Sequence, residues 1–263
     1  EINISACYAL RKLKNQVVIV ECTSPYDEYS KEHYMNTLKK QQYGRAQKCI
    51  CQTDKSAAFY NYLTNTKKIV IPNPIIGDYP DRYTGVRKKV IVNFCRLSKV
   101  KNIPLLIDAF KLLRNDYPEY ELHIFGDGEE KDRLIFYADE LGLSASVVFF
   151  DFDINLHKRI IDYSMFVSSS DREGMSNSML EAMTIGLPTV VTDTSSGAAR
   201  MLIDDYENGI VVPIKDKNAL LKAMKYIIEH PQQAEKMSKN AVLIKDKLSV
   251  DTIGKQWVDA ISE

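Results

Sequence analysis

The sequence predicts an α/β protein built on parallel sheet, and three observations predict it. Short aliphatic runs alternate with longer amphipathic stretches from residue 89 to residue 229, the pattern of strands joined by helical crossovers. Within that region, residues 163–167 and 189–192 read as buried strands on either side of an apolar helix, which suits a sheet covered on both faces. Between Pro74 and Gly85, apolar periodicity gives way to proline, glycine and charge, marking a boundary between two units.

Taken in order, residues 5–14 read as the tail of a helix and 16–21 as a buried strand. Residues 22–29 form a loop containing Pro25, and 31–43 a polar helix rich in lysine and glutamine. A strand at 46–52 precedes a helix at 54–63, capped from Thr53 or Asp54. Residues 68–71 form a strand that runs into Pro72-Asn73-Pro74. Beyond the boundary, strands at 89–94, 121–125, 147–150, 163–168, 189–192 and 210–212 alternate with helices at 103–113, 129–141, 156–161, 176–185, 198–203 and 217–229. Helices at 232–247 and 250–261 close the chain. The expected organisation is a partial N-terminal Rossmann-like domain over residues 1–74, a complete C-terminal one over 75–247, and a terminal helix segment over 248–263.

Composition excludes several classes. The 263 residues carry 35 basic and 35 acidic side chains, which argues against a broad nucleic-acid surface. The longest purely aliphatic run, 17–20, cannot span a bilayer, and no signal peptide is visible. Five cysteines lack paired metal-ligand spacing, and Cys49 and Cys51 share one face of a strand, which suits a packed edge. The four histidines are scattered and read as surface or core filler, so no metal site is expected. The chain reads as a reduced, cytoplasmic protein. Its helix 31–43, with Lys39 and Lys40, could touch an anionic membrane at the inner face, although a solvated face is the favoured reading.

The chemistry centres on residues 168–193. Ser176 can cap the following helix, leaving the amides of Asn177, Ser178 and Met179 pointing outward. Such an end attracts phosphate. Glu181 lies one turn in, on the Asn177 face, and its side chain leans back toward the helix start. Glu173 sits on the turn just ahead. A carboxylate can accept two hydrogen bonds from a sugar diol, so acids on both sides of an anion site suit a ligand with phosphates and neighbouring hydroxyls.

The block Glu173-Gly174-Met175-Ser176-Asn177-Ser178-Met179-Leu180-Glu181, followed by Gly186-Leu187-Pro188, resembles the retaining GT-B glycosyltransferases of the GT4 family, the glycosyl transferases group 1. The resemblance implies that Glu173 contacts the donor sugar and Glu181 the ribose of the nucleotide. Arg96 and Lys101, on the loop after the strand 89–94, match the family's diphosphate-holding pair, with Cys95 where the family usually has glycine. Gly126, Asp127 and Gly128 follow the next strand, and the family's matching loop lies beside the donor. The glycines allow positive φ and close backbone approach, while Asp127 could equally be a helix cap. Phe150 and Phe152 fall where the family seats the base, or else they are core; Asp151 replaces a usual glycine there. Cys22 stands where the family usually carries a histidine near the sugar, and Arg200 where many members have a glutamate; solvent exposure is the favoured reading of Arg200.

The resemblance covers nearly the whole chain and implies a GT-B-like fold, with residues 1–74 on the acceptor side, 75–247 binding the nucleotide sugar and the terminal helix, 248–263, crossing back onto the first domain. It also implies a truncated or gene-split chain, since family members carry more sequence before the point corresponding to Glu1. The expected activity is sugar transfer, with retention and without metal, from a UDP- or GDP-linked donor to a saccharide or lipid-linked saccharide. Family habit places it in capsule, exopolysaccharide or lipopolysaccharide synthesis. The rival is a catalytically incomplete nucleotide-sugar-binding module needing a partner chain, to which Cys22 and the missing front half point. A dinucleotide oxidoreductase is disfavoured, because no Gly-x-Gly-x-x-Gly follows a strand.

Overall fold

The computed structural model describes residues 2–12, 17–27 and 33–262. The ends of four predicted segments, at residues 13–14, 16, 28–29 and 31–32, lie outside the described residues. The first region holds helix α1 (Ile2–Ala9), strand β1 (Val18–Glu21), helix α2 (His33–Tyr43), strand β2 (Lys48–Cys51), helix α3 (Asp54–Phe59) and strand β3 (Lys67–Val70). The second holds β4 (Lys88–Phe94), α4 (Ile103–Leu113), β5 (Glu121–Phe125), α5 (Lys131–Glu140), β6 (Val147–Phe150), α6 (Leu156–Ile160) and β7 (Tyr163–Ser168). It continues with α7 (Asn177–Thr184), β8 (Thr189–Asp193), α8 (Ala198–Leu202), β9 (Ile210–Pro213) and α9 (Lys217–Glu229). Helices α10 (Pro231–Ala241), α11 (Ile244–Lys247) and α12 (Val250–Ser262) follow.

Both sheets are parallel: β1-β2-β3, and β6-β5-β4-β7-β8-β9. In the larger sheet the order runs outward in opposite directions from the adjacent pair β4 and β7. The loops leaving their carboxyl ends therefore splay apart and open a crevice at the topological switch point, where open α/β sheets bind ligands. Burial explains the near-continuous apolar strands: every residue of β7 is buried. One face packs Leu106, Phe110, Leu134 and Met224 from the helices. The other packs α7 and extends to Ile50 and Ile71 beside the smaller sheet, with Ile253 and Ala260 of α12 in the same cluster.

Several boundaries shift for local reasons. The helix predicted over 54–63 ends at Phe59 and continues as a 3₁₀ turn over Tyr60–Tyr62. The Tyr60 hydroxyl is anchored on buried Glu21 at 2.6 Å. The helix predicted to begin at 129 begins at Lys131, since the Glu130 amide bonds instead to the Leu97 carbonyl. The stretch 232–247 divides in two, where turn bonds from Leu243 to Asn240 and from Lys245 to Val242 tighten the chain.

Two further expectations are corrected. Cys49 and Cys51 lie on the middle strand of the smaller sheet, not on an edge; both are buried, with sulfurs 3.8 Å apart. Lys39 is buried, not on a solvated or membrane-facing side, because its ammonium pairs with Glu21 at 2.8 Å.

Polar bonds tie the sheets together. Thr53 caps α3 and donates to the Ser196 carbonyl at 2.7 Å. Ser24 meets Ser195 at 2.6 Å. Lys48, in β2, donates to the Ala260 carbonyl of α12 at 2.7 Å.

Candidate active site

The loops after β4 and β7 are laced to each other. The Asp171 amide donates to the Val100 carbonyl at 2.8 Å, and Ser169 Oγ to the carbonyls of Lys101 and Asn102. The Asn102 amide group reaches Asp171 at 2.9 Å. This lacing sets Lys101 Nζ 2.6 Å from Glu173 Oε1, an oxygen that Ser170 Oγ also approaches at 2.8 Å. Both side chains of the ion pair are mostly sheltered.

Helix α7 starts at the expected cap, but the Met179 amide, expected to point outward, is taken up by that cap. Ser176 is extended and its hydroxyl accepts from the Met179 amide at 3.3 Å. The amides of Asn177 and Ser178 find no protein acceptor among the described residues. Asn73, on the connection after β3, meets the Asn177 side chain at 2.8 Å and the Met175 sulfur through its own amide at 3.2 Å. Met175 itself is buried, and Gly174 lies so close to the Cys22 carbonyl that any Cβ would overlap it.

A cavity of about 570 Å³ opens at this crevice. Of the residues singled out from the sequence, Arg96, Gly126, Asp127, Phe152, Ser178 and Glu181 line it. Arg96 extends into solvent at its mouth, 78% exposed and 3.7 Å from Glu129. Phe152 is largely exposed at the rim. A second, shallower cavity of about 380 Å³ lies between the two sheets and is lined by Glu173, Gly174, Ser24 and Asp27. The four charged groups thus fall into two sets. Arg96 and Glu181 share the larger cavity, whereas Lys101 is paired with Glu173 beside the smaller one.

Gly126 and Gly128 have φ of 136° and 153°. The close approach they permit is to the chain's own loop, because a Cβ on either would overlap the carbonyl of Cys95 or Leu97. Asp127 is not a helix cap; its carboxylate accepts from the Gly128 amide at 2.8 Å. Phe150 stacks on Phe125 at 4.6 Å, and the Arg159 guanidinium lies against both rings, 4.1 Å from the centre of Phe150 and 5.0 Å from that of Phe125, so Phe150 is packed within the protein and does not line the cavity. Asp151 pairs with Lys131. Burial pushes the Cys95 thiol up to about 12. Arg200 pairs with Asp193 and Asp205. Cys22 is exposed on its loop, yet partial desolvation by the surrounding protein, then the Glu21 charge, pushes its thiol up, which disfavours a nucleophilic thiolate there.

Sequence reasoning missed His157, read as filler. Its ring lines the larger cavity and its Nε2 lies 3.0 Å from Glu181 Oε2. Tyr79 and Phe94 line the same cavity and meet that ring edge-on at 4.8 and 6.0 Å. The one available signal was position: His157 follows β6 at the same end of the sheet as Arg96 and Asp127.

Two parallel-sheet units, with a cavity at the switch point of the larger one, define the GT-B class. The profile of the family Glycosyl transferases group 1 matches residues 83–243, and the chain belongs to that family. It is 30% identical over 227 residues to the N-acetylgalactosamine-N,N'-diacetylbacillosaminyl-diphospho-undecaprenol 4-alpha-N-acetylgalactosaminyltransferase of Campylobacter jejuni, an alignment covering 82% of this chain and 61% of that enzyme. It is 32% identical over 139 residues to the lipopolysaccharide core biosynthesis glycosyltransferase LpsE of Rhizobium meliloti, covering 53% and 39%. The fold superposes on Anabaena HepE, solved with UDP, at a TM-score of 0.83 and 21% identity, covering 98% of this chain and 75% of that one. The chain thus spans about three fifths of the Campylobacter enzyme.

Proposed function

We propose that this chain supplies the donor site of a glycosyltransferase that moves a sugar from a nucleoside-diphosphate sugar to a saccharide or lipid-linked saccharide hydroxyl. The observation that carries this reading is the cavity at the β4–β7 switch point, which places Arg96, the Ser178 end of α7 and Glu181 around one space. Similarity to enzymes of lipid-linked saccharide and lipopolysaccharide synthesis supports a surface-polysaccharide role.

In this reading residues 75–247 bind the donor, residues 1–74 belong to the acceptor side, and the segment 248–263 returns to the first sheet. Glu181 takes the ribose hydroxyls and Glu173 the sugar. Breaking the bond to diphosphate builds negative charge on the leaving group. Arg96, Lys101 and the open amides of Asn177 and Ser178 would neutralise it; removing one such preorganised donor costs roughly 3–4 kcal/mol. A departing phosphate oxygen takes the acceptor proton, on the same face as the departing group, so configuration is retained and no side-chain base is required. Metal-independent transfer at the inner face of the membrane belongs to the same proposal. Among the described residues no helix is long and apolar enough to cross a membrane.

A specific observation favours a second reading, a binding module that needs a partner chain: Cys22, exposed on the loop after β1, carries a thiol where the family usually has a histidine. Calorimetry with UDP and GDP, together with hydrolysis and transfer assays, separates the two. The transferase reading expects Arg96→Ala to lower donor turnover by two orders of magnitude or more. Nucleotide binding without any turnover, with acceptors supplied, selects the module instead. No binding of either nucleotide sinks both.

A further inference from the structure

Glu181 is held by a group that the donor-site reading leaves without a task. His157 Nε2 lies 3.0 Å from Glu181 Oε2. A carboxylate only accepts hydrogen bonds, so Nε2 carries the proton and donates. The imidazole cannot swing freely: Tyr79 meets its ring edge-on at 4.8 Å and Phe94 does so at 6.0 Å. Tyr79 is itself tied through its hydroxyl to the Ile76 carbonyl at 3.0 Å. The bond therefore runs from a braced ring to one oxygen of the carboxylate. The other oxygen, Oε1, has no protein partner among the described residues, and Glu181 lines the cavity.

We propose that His157 is a positioning residue: it pins one oxygen of Glu181 so that the other is presented, in a single rotamer, to the vicinal ribose hydroxyls of the donor nucleotide. This rests on the donor-site reading above and deepens it. A glutamate on an open helix end samples several rotamers, and a ligand that needs one of them must order the side chain on binding. The bond to His157 does that ordering beforehand. The residue acts through Glu181 and touches none of the reacting atoms.

The test is calorimetry with UDP and 2′,3′-dideoxy-UDP, the guanosine pair run alongside, on wild type, H157A, H157Q, H157N and E181A. Wild type is expected to prefer the ribo form. H157A should bind the ribo form roughly tenfold more weakly, the cost of immobilising one side chain, with dideoxy affinity unchanged within about twofold. H157Q, whose amide can donate to the same oxygen, should restore the preference; H157N, which is too short, should not. Adding H157A to E181A should change nothing further. Equal loss for both ligands in H157A and H157N, or no loss in either, would overturn the proposal while E181A still erases the preference. A wild type with no preference, unaltered by E181A, would instead remove the ribose role of Glu181, and this inference with it.

Discussion

Lys101 and Glu173 show how one contact changes the meaning of two residues. The family resemblance implied that each lies near the donor, but only the coordinates put their charges 2.6 Å apart. In the donor-site reading, diphosphate competes with Glu173 for the ammonium, and its arrival frees the carboxylate to face the sugar. Glu173→Gln should then leave UDP affinity equal or tighter while transfer falls about a hundredfold or more. Binding measured beside single-turnover rates checks this; parallel loss of both would assign Glu173 to nucleotide binding. Residues legible from sequence were those acting through their own local geometry. Ser176 is the N-cap because a hydroxyl ahead of an apolar helix accepts an amide one turn on. His157 was not legible, since its partner lies 24 positions away and its place after β6 does not by itself name that partner.

At the scale of elements, the larger cavity depends on how closely the loops after β4 and β5 nest. The Leu97 amide donates to the Asp127 carbonyl at 2.8 Å, and the Cys95 amide to the Phe125 carbonyl at 3.1 Å. Gly126 permits that nesting, with a φ of 136° and the Cys95 carbonyl where a Cβ would stand. Gly126→Ala should destabilise the fold by about 2 kcal/mol or more through steric overlap and backbone strain. It should also displace the loop bearing Arg96, weakening nucleotide binding beyond what unfolding explains. Urea melts and calorimetry at a temperature where the variant is folded would check both effects. The sequence marked these glycines as sites of close approach, but could not say that the approaching group is the chain's own backbone. Strand and helix positions in the larger unit were legible to within a few residues because the periodicity there is long and regular. The divided helix at 242–243 was not, since short-range turn bonds break it there without proline or glycine.

For the whole molecule, the buried carboxylate of Glu21 is the clearest case of a charge whose sense is tertiary. It accepts from Lys39 at 2.8 Å, Tyr43 at 2.6 Å, Tyr60 at 2.6 Å and Asn3 at 2.8 Å, joining β1, α2, the turn after α3 and α1. Burial alone would raise its pKa, but Lys39 and the hydroxyl donors more than offset this and hold the carboxyl below the ordinary glutamate range. A depressed carboxylate contributes stability above the unfolded-state pKa, and that contribution is lost as pH falls through the folded value. Lys39→Met leaves an unpaired buried charge and should cost about 3–5 kcal/mol at neutral pH. The difference from wild type should narrow as acid protonates Glu21. Denaturant melts across that range check it, and a constant difference would show that lost packing, not charge, is responsible. The sequence by itself determined the alternation of strands and helices, the capped start of α7 and the family motif, because periodicity, capping and spacing are properties of neighbours along a chain. Only the tertiary structure decided which carboxylate meets lysine, which meets histidine, and that Lys39 faces inward, because those pairings depend on burial and on distances across the sheets.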